Sequence, residues 1–244
     1  MRHLSARADR AILPVSLDRV PWLSNPKPTT AFIPVGANVP SLEDLTREGF
    51  VAVPNAISTV AVFGVPTWPA AQRREVHAIV ESLRRASAKI GELQLLVVGR
   101  GSKEAEPLLR AGLSGTGVRL RVDGLRSGQE ISAGLSSSQV LLFVRGALSS
   151  RRGSGIAGIA CGLPIVAYEG RETGPPLTEA GIVFVLQDDV AGLGDQLATL
   201  LPDRERRMVL SARSLAVFRE WFSWDRIADR WIEALASENK GFRT

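Results

Sequence analysis

LFVRGALSSRRGSGIAGIACGLPIV, residues 142–166, reads as strand, loop, helix, turn and strand. The loop runs from Arg145 to Arg152, and the helix from near Gly153 to about Ala160. Gly155, Ala157, Gly158 and Ala160 are small enough to let that helix lie close against a sheet. They also make it intrinsically weak, so tertiary packing must hold it. Its first turn presents free backbone N–H groups and the positive end of the helix dipole. Ser150, Arg151, Arg152, Gly153 and Ser154 sit there. Backbone donors, two guanidinium forks and hydroxyls together suit a diphosphate. The competing reading is a structural arginine pair on a surface turn.

The same rhythm extends in both directions. Short apolar runs recur at Thr30–Val35, Thr59–Phe63, Leu93–Val98, Val118–Val122, Gln139–Val144, Pro164–Tyr168 and Ile182–Leu186. Several are nearly continuous in Val, Ile, Leu and Phe, as expected of strands covered on both faces. The stretches between them are helical in pattern. In Ala70–Ser87, for example, Val76, Ile79, Val80 and Leu83 fall on one face. Strand and helix alternating at this spacing predict a doubly wound, parallel α/β sheet of Rossmann-like type. Gly36, Gly64, Gly99 and Gly124 stand at strand ends. A strand's carboxyl end followed by glycine is where such folds bring backbone close to a ligand.

Both ends break the alternation. Residues 1–28 are rich in Pro and Arg, carry one candidate strand at Ala11–Val15, and read as a linker or a fragment of another domain. After Pro202 the chain is helical: Asp203–Glu220, then about Trp224–Ser237, with Ser223 as N-cap and Asp225 in the first turn. Trp221, Phe222, Trp224 and Trp231 crowd this region, either as a helix packed on its own core or as one holding another domain.

Composition narrows the function classes. The 244 residues are 45% hydrophobic and 23% charged, the balance of a globular protein. One cysteine, Cys161, excludes an intrachain disulfide framework and a multi-cysteine zinc site. With two histidines, His3 and His77, a histidine-rich metal site is excluded as well, and no metal is expected. The formal charge of +5 fits a phosphate-bearing small ligand or contact with an anionic membrane surface. Basic residues are scattered or paired, so no nucleic-acid partner is expected. No apolar stretch approaches the ~18 residues needed to span a bilayer. The basic N-terminus lacks a signal-peptide cleavage pattern, which points to the cytoplasm, with the inner face of the membrane as a further address.

Other motifs fall away. Gly99-Arg100-Gly101-Ser102 resembles a dinucleotide fingerprint, but Glu104 stands where the third glycine belongs. There is no P-loop and no Gly-x-Ser-x-Gly elbow with a downstream histidine. His77 lies in an amphipathic helix beside Arg73 and Arg74, a solvated position, and Cys161 reads as a buried small residue.

Four segments, in order, resemble the nucleotide-binding half of group 1 glycosyltransferases, which have two facing Rossmann-like domains (the GT-B architecture). FIPVGANVP (32–40) resembles the segment that opens the second domain of that family. VDGLRSGQEISAGLSSSQVLLF (122–143) resembles its strand, acidic helix and strand unit. ACGLPIVA (160–167) resembles the stretch after its donor-site helix, and FSWDRIADRWIEAL (222–235) its closing crossover helix. The family's two glutamates would fall at Ser149 and Ala157, so both acids are missing. Its Arg and Lys after the first strand are not evident either, since Val65-Pro66-Thr67-Trp68 follow Gly64. The Arg151-Arg152-Gly153-Ser154 turn resembles a subgroup in which those arginines replace the lost cation.

The resemblance implies 29–220 as the nucleotide-sugar-binding domain, 221–244 as crossover helix and tail, and 1–28 (ADRAILPVSLDR, 8–19, above all) as remnant of an acceptor domain. It implies transfer of a sugar from a nucleotide diphosphate sugar, with retention of configuration and without a metal. The diphosphate would sit at Ser150–Ser154 with Gly64 allowing close approach, and the base near Asp123, Gly124 and Leu125. An acceptor domain or partner chain would dock near the C-terminal aromatic helix. The alternative is a degenerate, non-catalytic module of the same fold that binds a protein partner.

Overall fold

The computed structural model describes residues 10–21, 23, 30–51, 53 and 55–236. His3, residues 24–28, and Ser237 with the tail after it lie outside the described residues. The expected doubly wound sheet is present. Strands β3 (Thr59–Phe63), β4 (Leu93–Val98), β5 (Val118–Gly124), β6 (Val140–Ala147), β7 (Ile165–Tyr168) and β8 (Ile182–Val185) form one sheet. Its order is β5-β4-β3-β6-β7-β8, and every pairing is parallel. Successive residues feed opposite cores. Val60, Val62, Leu95, Val97, Leu142 and Val144 face one side, and Ala61, Val98, Leu141 and Phe143 the other.

Helices α2 (Pro69–Ile90), α3 (Ser102–Leu113) and α6 (Val190–Leu200) cover the first side. Helices α4 (Gly128–Ser136) and α5 (Gly153–Ala160) cover the second, where the end of α7 (Arg204–Val217) joins them. Proline at the first position of α2 costs no hydrogen bond there. Ile79 and Leu83 are fully buried, in keeping with the apolar stripe read from the sequence.

The first strand run departs from expectation. Of Thr30–Val35, only Thr30–Phe32 (β2) is extended strand, and it pairs not with the main sheet but with β1 (Ala11–Leu13). The reason lies in residues 33–40, which cross the second face as a strap. Val35 N–H donates to the Ser150 carbonyl at 3.0 Å and Ala37 N–H to Phe222 at 3.2 Å. The Ser132 hydroxyl donates to Pro40 at 2.6 Å. A short helix, α1 (Leu42–Arg47), follows, closed by a Ser41–Asp44 capping box.

The C-terminal helices also differ in detail. α7 stops at Val217, a π-turn spans Phe218–Phe222, and α8 runs Trp224–Ala236. Ser223 has the extended backbone of an N-cap. Its hydroxyl, however, donates back to the Arg219 carbonyl at 3.3 Å. Phe222 is fully buried, whereas Trp224, Ile232 and Leu235 are exposed.

Candidate functional site

The strand order reverses between β3 and β6, and their carboxyl ends diverge: pairing between them stops at Ala61 and Leu141. In such sheets the crevice at the reversal is where ligands bind. Two local features shape it. Gly64 ends β3 with φ of 76°, and a Cβ there would stand 3.3 Å from Arg145 Nη1. On β6 the register with β7 jumps from Phe143–Ala167 to Ala147–Tyr168, leaving Val144, Arg145 and Gly146 without partners. Such a bulge re-aims a side chain. Here it turns Arg145 toward Gly64 and toward Glu75 of α2, whose Oε2 lies 3.9 Å from Arg145 Nε. Gly64, Arg145 and Ser154 line one small cleft with Phe63 and Phe143.

The donor helix expected from the sequence, α5, begins at Gly153 as anticipated. Its glycines explain how it is held. A Cβ on Gly155 would stand 2.4 Å from Leu148 Cδ1, and one on Gly158 would stand 2.4 Å from Leu141 Cδ2. Both leucines are buried. Arg152 is the N-cap residue, and no side chain caps the first turn. The Gly155 and Ile156 amides bond to the Arg152 carbonyl at 3.0 and 3.1 Å, so those of Gly153 and Ser154 point onward from the helix end.

The residues named from the sequence have distinct circumstances. Ser150 is buried, its hydroxyl donating to Pro14 at 2.5 Å and its carbonyl accepting from Val35. It ties the segment after β1 and the strap to the loop before α5. Arg151 leans toward β7, where Glu172 clasps it in a bidentate pair at 2.8 and 2.9 Å. That carboxylate belongs to a loop pinned by Thr173, whose hydroxyl donates to Leu148 at 2.7 Å. Arg152 has no ion pair among the described residues, and its Nε is buried without a hydrogen bond. Burial, then Arg151 and Arg145, hold its guanidinium below the usual arginine range. Gly153 faces Asn38 of the strap.

The three base-site residues lie apart from this group. β5 is three strand spacings from β6, about 14 Å. Gly124 accepts from Gly99 N–H at 2.7 Å, and Leu125 is exposed. The Asp123 carboxylate is occupied by a bidentate Arg121 at 2.7 and 2.9 Å.

Glu75 and Arg145 were not singled out from the sequence. Glu75 is 6% exposed, and its Oε2 has no hydrogen-bond partner. Burial pushes its carboxyl up to about 7 against the pull of Arg145, Arg74 and Arg152. A signal was present: Glu75 precedes Ile79 and Leu83 by one and two helical turns, a charge on an apolar face. Ser149 is also buried with an unpaired hydroxyl. Cys161 is buried as expected, and burial pushes its thiol up to about 11, far from a nucleophile's range. Among the described residues no group of three or more His, Cys, Asp or Glu is placed to hold a metal.

The fold has close counterparts among solved structures. Anabaena HepE in complex with UDP-glucose superposes with a TM-score of 0.68 at 16% identity, over 97% of this chain and 66% of HepE. Sucrose-phosphate synthase from Thermosynechococcus elongatus gives 0.67 at 21% identity, over 97% of this chain and 60% of the synthase. The chain has the fold of a GT-B glycosyltransferase domain. In sequence, this glycosyltransferase-like chain is 27% identical over 174 residues to a GDP-mannose-dependent mannosyltransferase of Corynebacterium glutamicum acting on a monoacylated phosphatidylinositol monomannoside. The match takes in 68% of this chain and 45% of that enzyme, so the chain spans less than half the relative's length. No family model matches the sequence. The group 1 resemblance read from the four motifs agrees with both kinds of relative. No helix among the described residues is long and apolar enough to cross a membrane.

Proposed function

We propose that this chain is the donor-binding half of a nucleotide-sugar glycosyltransferase. One observation carries the reading. At the reversal point of the sheet, the uncapped end of α5 brings Ser154 into one cleft with Gly64 and the arched Arg145, and Arg152, without an ion pair among the described residues, feels the charges of Arg145 and Glu75. That crevice presents cations and bare amides, the chemistry that an anionic diphosphate takes. In this reading the diphosphate lies across Gly64 and the Arg151–Ser154 turn, with the base toward Gly124 and Leu125. Ser150 contributes its position rather than its hydroxyl, which is already spent on Pro14.

As the glycosidic bond breaks, negative charge grows on the departing diphosphate. Preorganised guanidinium and N–H donors stabilise it more than they stabilise the bound donor, an electrostatic effect of the oxyanion-hole type. These donors take the role that a metal ion plays in other sites. The acceptor-binding unit is proposed to meet α8, where Trp224, Ile232 and Leu235 stand exposed. The UDP-glucose and GDP-mannose named for the similar proteins support a nucleotide-sugar donor for this chain.

A thermal-shift screen of nucleoside diphosphates and nucleotide sugars tests this. A ligand at a hundred times its Kd adds about 2.7 kcal/mol to a native state it alone binds. For a chain of this size that raises Tm by about 5–10 °C. Absence of any shift with millimolar nucleotides refutes the proposal.

A further inference from the structure

We propose that Glu75 is a proton-accepting counter-ion of the diphosphate site: an entering diphosphate takes Arg145 from it, and Glu75 binds one proton from solvent. This rests on the donor-site reading above and adds two residues to it.

The geometry is that of an exchangeable pair. Arg145 Nε and Glu75 Oε2 are 3.9 Å apart, within ion-pair range but too far for a hydrogen bond. The Arg145 side chain is 40% exposed, and that of Glu75 only 8%. Nη1 of the same arginine lies against Gly64, where the proposed ligand passes. The guanidinium can therefore turn to a phosphate while the carboxylate cannot follow it into water. The charged groups acting on Glu75 are Arg74 on its own helix, Arg145 on β6 and Arg152 at the cap of α5. All three are cations, and a diphosphate at the α5 end competes for two of them. With its compensation drawn off and a new anion nearby, a buried carboxylate is stable only when protonated. Near-neutral titration of the empty site, about 7, places the exchange in the physiological range.

The test is titration calorimetry of the full chain with UDP, GDP and inorganic pyrophosphate, repeated in buffers of different ionisation enthalpy. About a quarter of Glu75 is already protonated at pH 7.5 in the empty site, so the wild type should take up about half to three quarters of a proton on binding, and its affinity should fall up to tenfold per unit between pH 7.5 and 8.5. Glu75→Gln should show neither effect. Titration of the ligand's own phosphate, near pH 6, is common to both proteins and cancels in the comparison. Arg145→Gln should bind at least tenfold more weakly without uptake, because Glu75 is then already protonated in the empty site. It is the second variant should Glu75→Gln not fold. Equal proton stoichiometry in wild type and Glu75→Gln, or wild-type affinity in Arg145→Gln, overturns the inference and leaves the donor reading intact. Pyrophosphate binding with uptake but no nucleotide binding supports the inference and refutes the donor reading. Failure of all three probes to bind overturns both.

Discussion

Replacing Arg152 by Gln should weaken binding while leaving the empty protein as stable or more so. Of the two arginines in the 150–154 turn, Arg152 has no carboxylate partner among the described residues, since Glu172 is fully engaged by Arg151. Its Nε is buried and unbonded, and it is pressed by Arg151 and Arg145. An unsatisfied buried donor costs about 1–3 kcal/mol. Gln removes the charge but sacrifices some of the stem's packing, so the net change in the empty protein is a gain of about 0–1 kcal/mol. For a chain of this size that is a rise in Tm of about 0–4 °C. In the complex the same guanidinium would form charge-assisted hydrogen bonds worth about 1.5–3 kcal/mol. Their loss lowers affinity for a nucleoside diphosphate by about 10–150-fold. Thermal unfolding without ligand and titration calorimetry with it read the two halves separately. An Arg152→Gln protein that is less stable when empty and binds unchanged would show that the residue props the turn rather than grips a ligand.

Three further outcomes follow from contacts in the structure. Glu172→Gln releases Arg151 to the ligand, and since exposed pairs are worth about 0.2–1 kcal/mol, nucleoside diphosphate affinity should rise up to about fivefold by calorimetry; weaker binding contradicts this. Gly181→Ala sets a Cβ 1.9 Å from the Leu210 carbonyl oxygen and 2.8 Å from Ser214 Oγ, so α7 must move, at a cost of about 2–4 kcal/mol in urea unfolding; a change under about 1 kcal/mol would refute the close packing. Asp195 joins α6 to α2 through Arg85, at 2.7 and 2.9 Å, and Lys89, at 2.5 Å. Hydrogen bonds from Arg85 and Lys89 hold its carboxyl well below the usual range. A depressed folded value means stability present above the unfolded value, about 3.9, and lost as pH falls through the folded one. Asp195→Asn should therefore be less stable than wild type at pH 7, with the gap closing toward pH 2 and in high salt; a gap independent of pH refutes the clasp.

What the sequence disclosed and what it hid divide along a physical line. Strands buried on both faces must be apolar, so β3, β4, β7 and the first five residues of β6 were legible as continuous runs, whereas the edge strand β5 alternates apolar residues with exposed Arg119 and Arg121, and α5 was bounded by its glycines and arginines. Local chemistry could not reveal β2's partner. Whether Thr30–Phe32 joins the sheet or pairs with Ala11–Leu13 depends on the strap's contacts with Ser150, Phe222 and Ser132, each about 90 residues or more away in sequence. α1 was legible in principle from Ser41 and Asp44, a capping box in six residues too short for a visible stripe. At the site, composition showed cations but not their pairing. Arg151 and Arg152 are neighbours and look equivalent, yet a loop after β7 supplies a carboxylate to one of them only. Arg145 reads as the polar end of a strand, and only the three-residue arch turns it into the crevice.

The missing glutamates bear on how such a site could work. Ala157 is fully buried in the second core, on a helix pinned by Gly155 and Gly158. A carboxylate there would be an uncompensated buried charge, costing several kcal/mol. Ser149, at the other position, is equally enclosed. The acids near the crevice are instead Glu75 and Glu172, and each is set against an arginine rather than against open space. Three arginines, 145, 151 and 152, thus meet two carboxylates, one of them titrating near neutrality. The empty crevice holds at least one uncompensated positive charge, and two once Glu75 is protonated. An anion resolves that imbalance, whereas a neutral sugar cannot. In the donor-site reading proposed above, that charge balance is what selects a diphosphate: Arg145, Arg151 and Arg152 against Glu75 and Glu172.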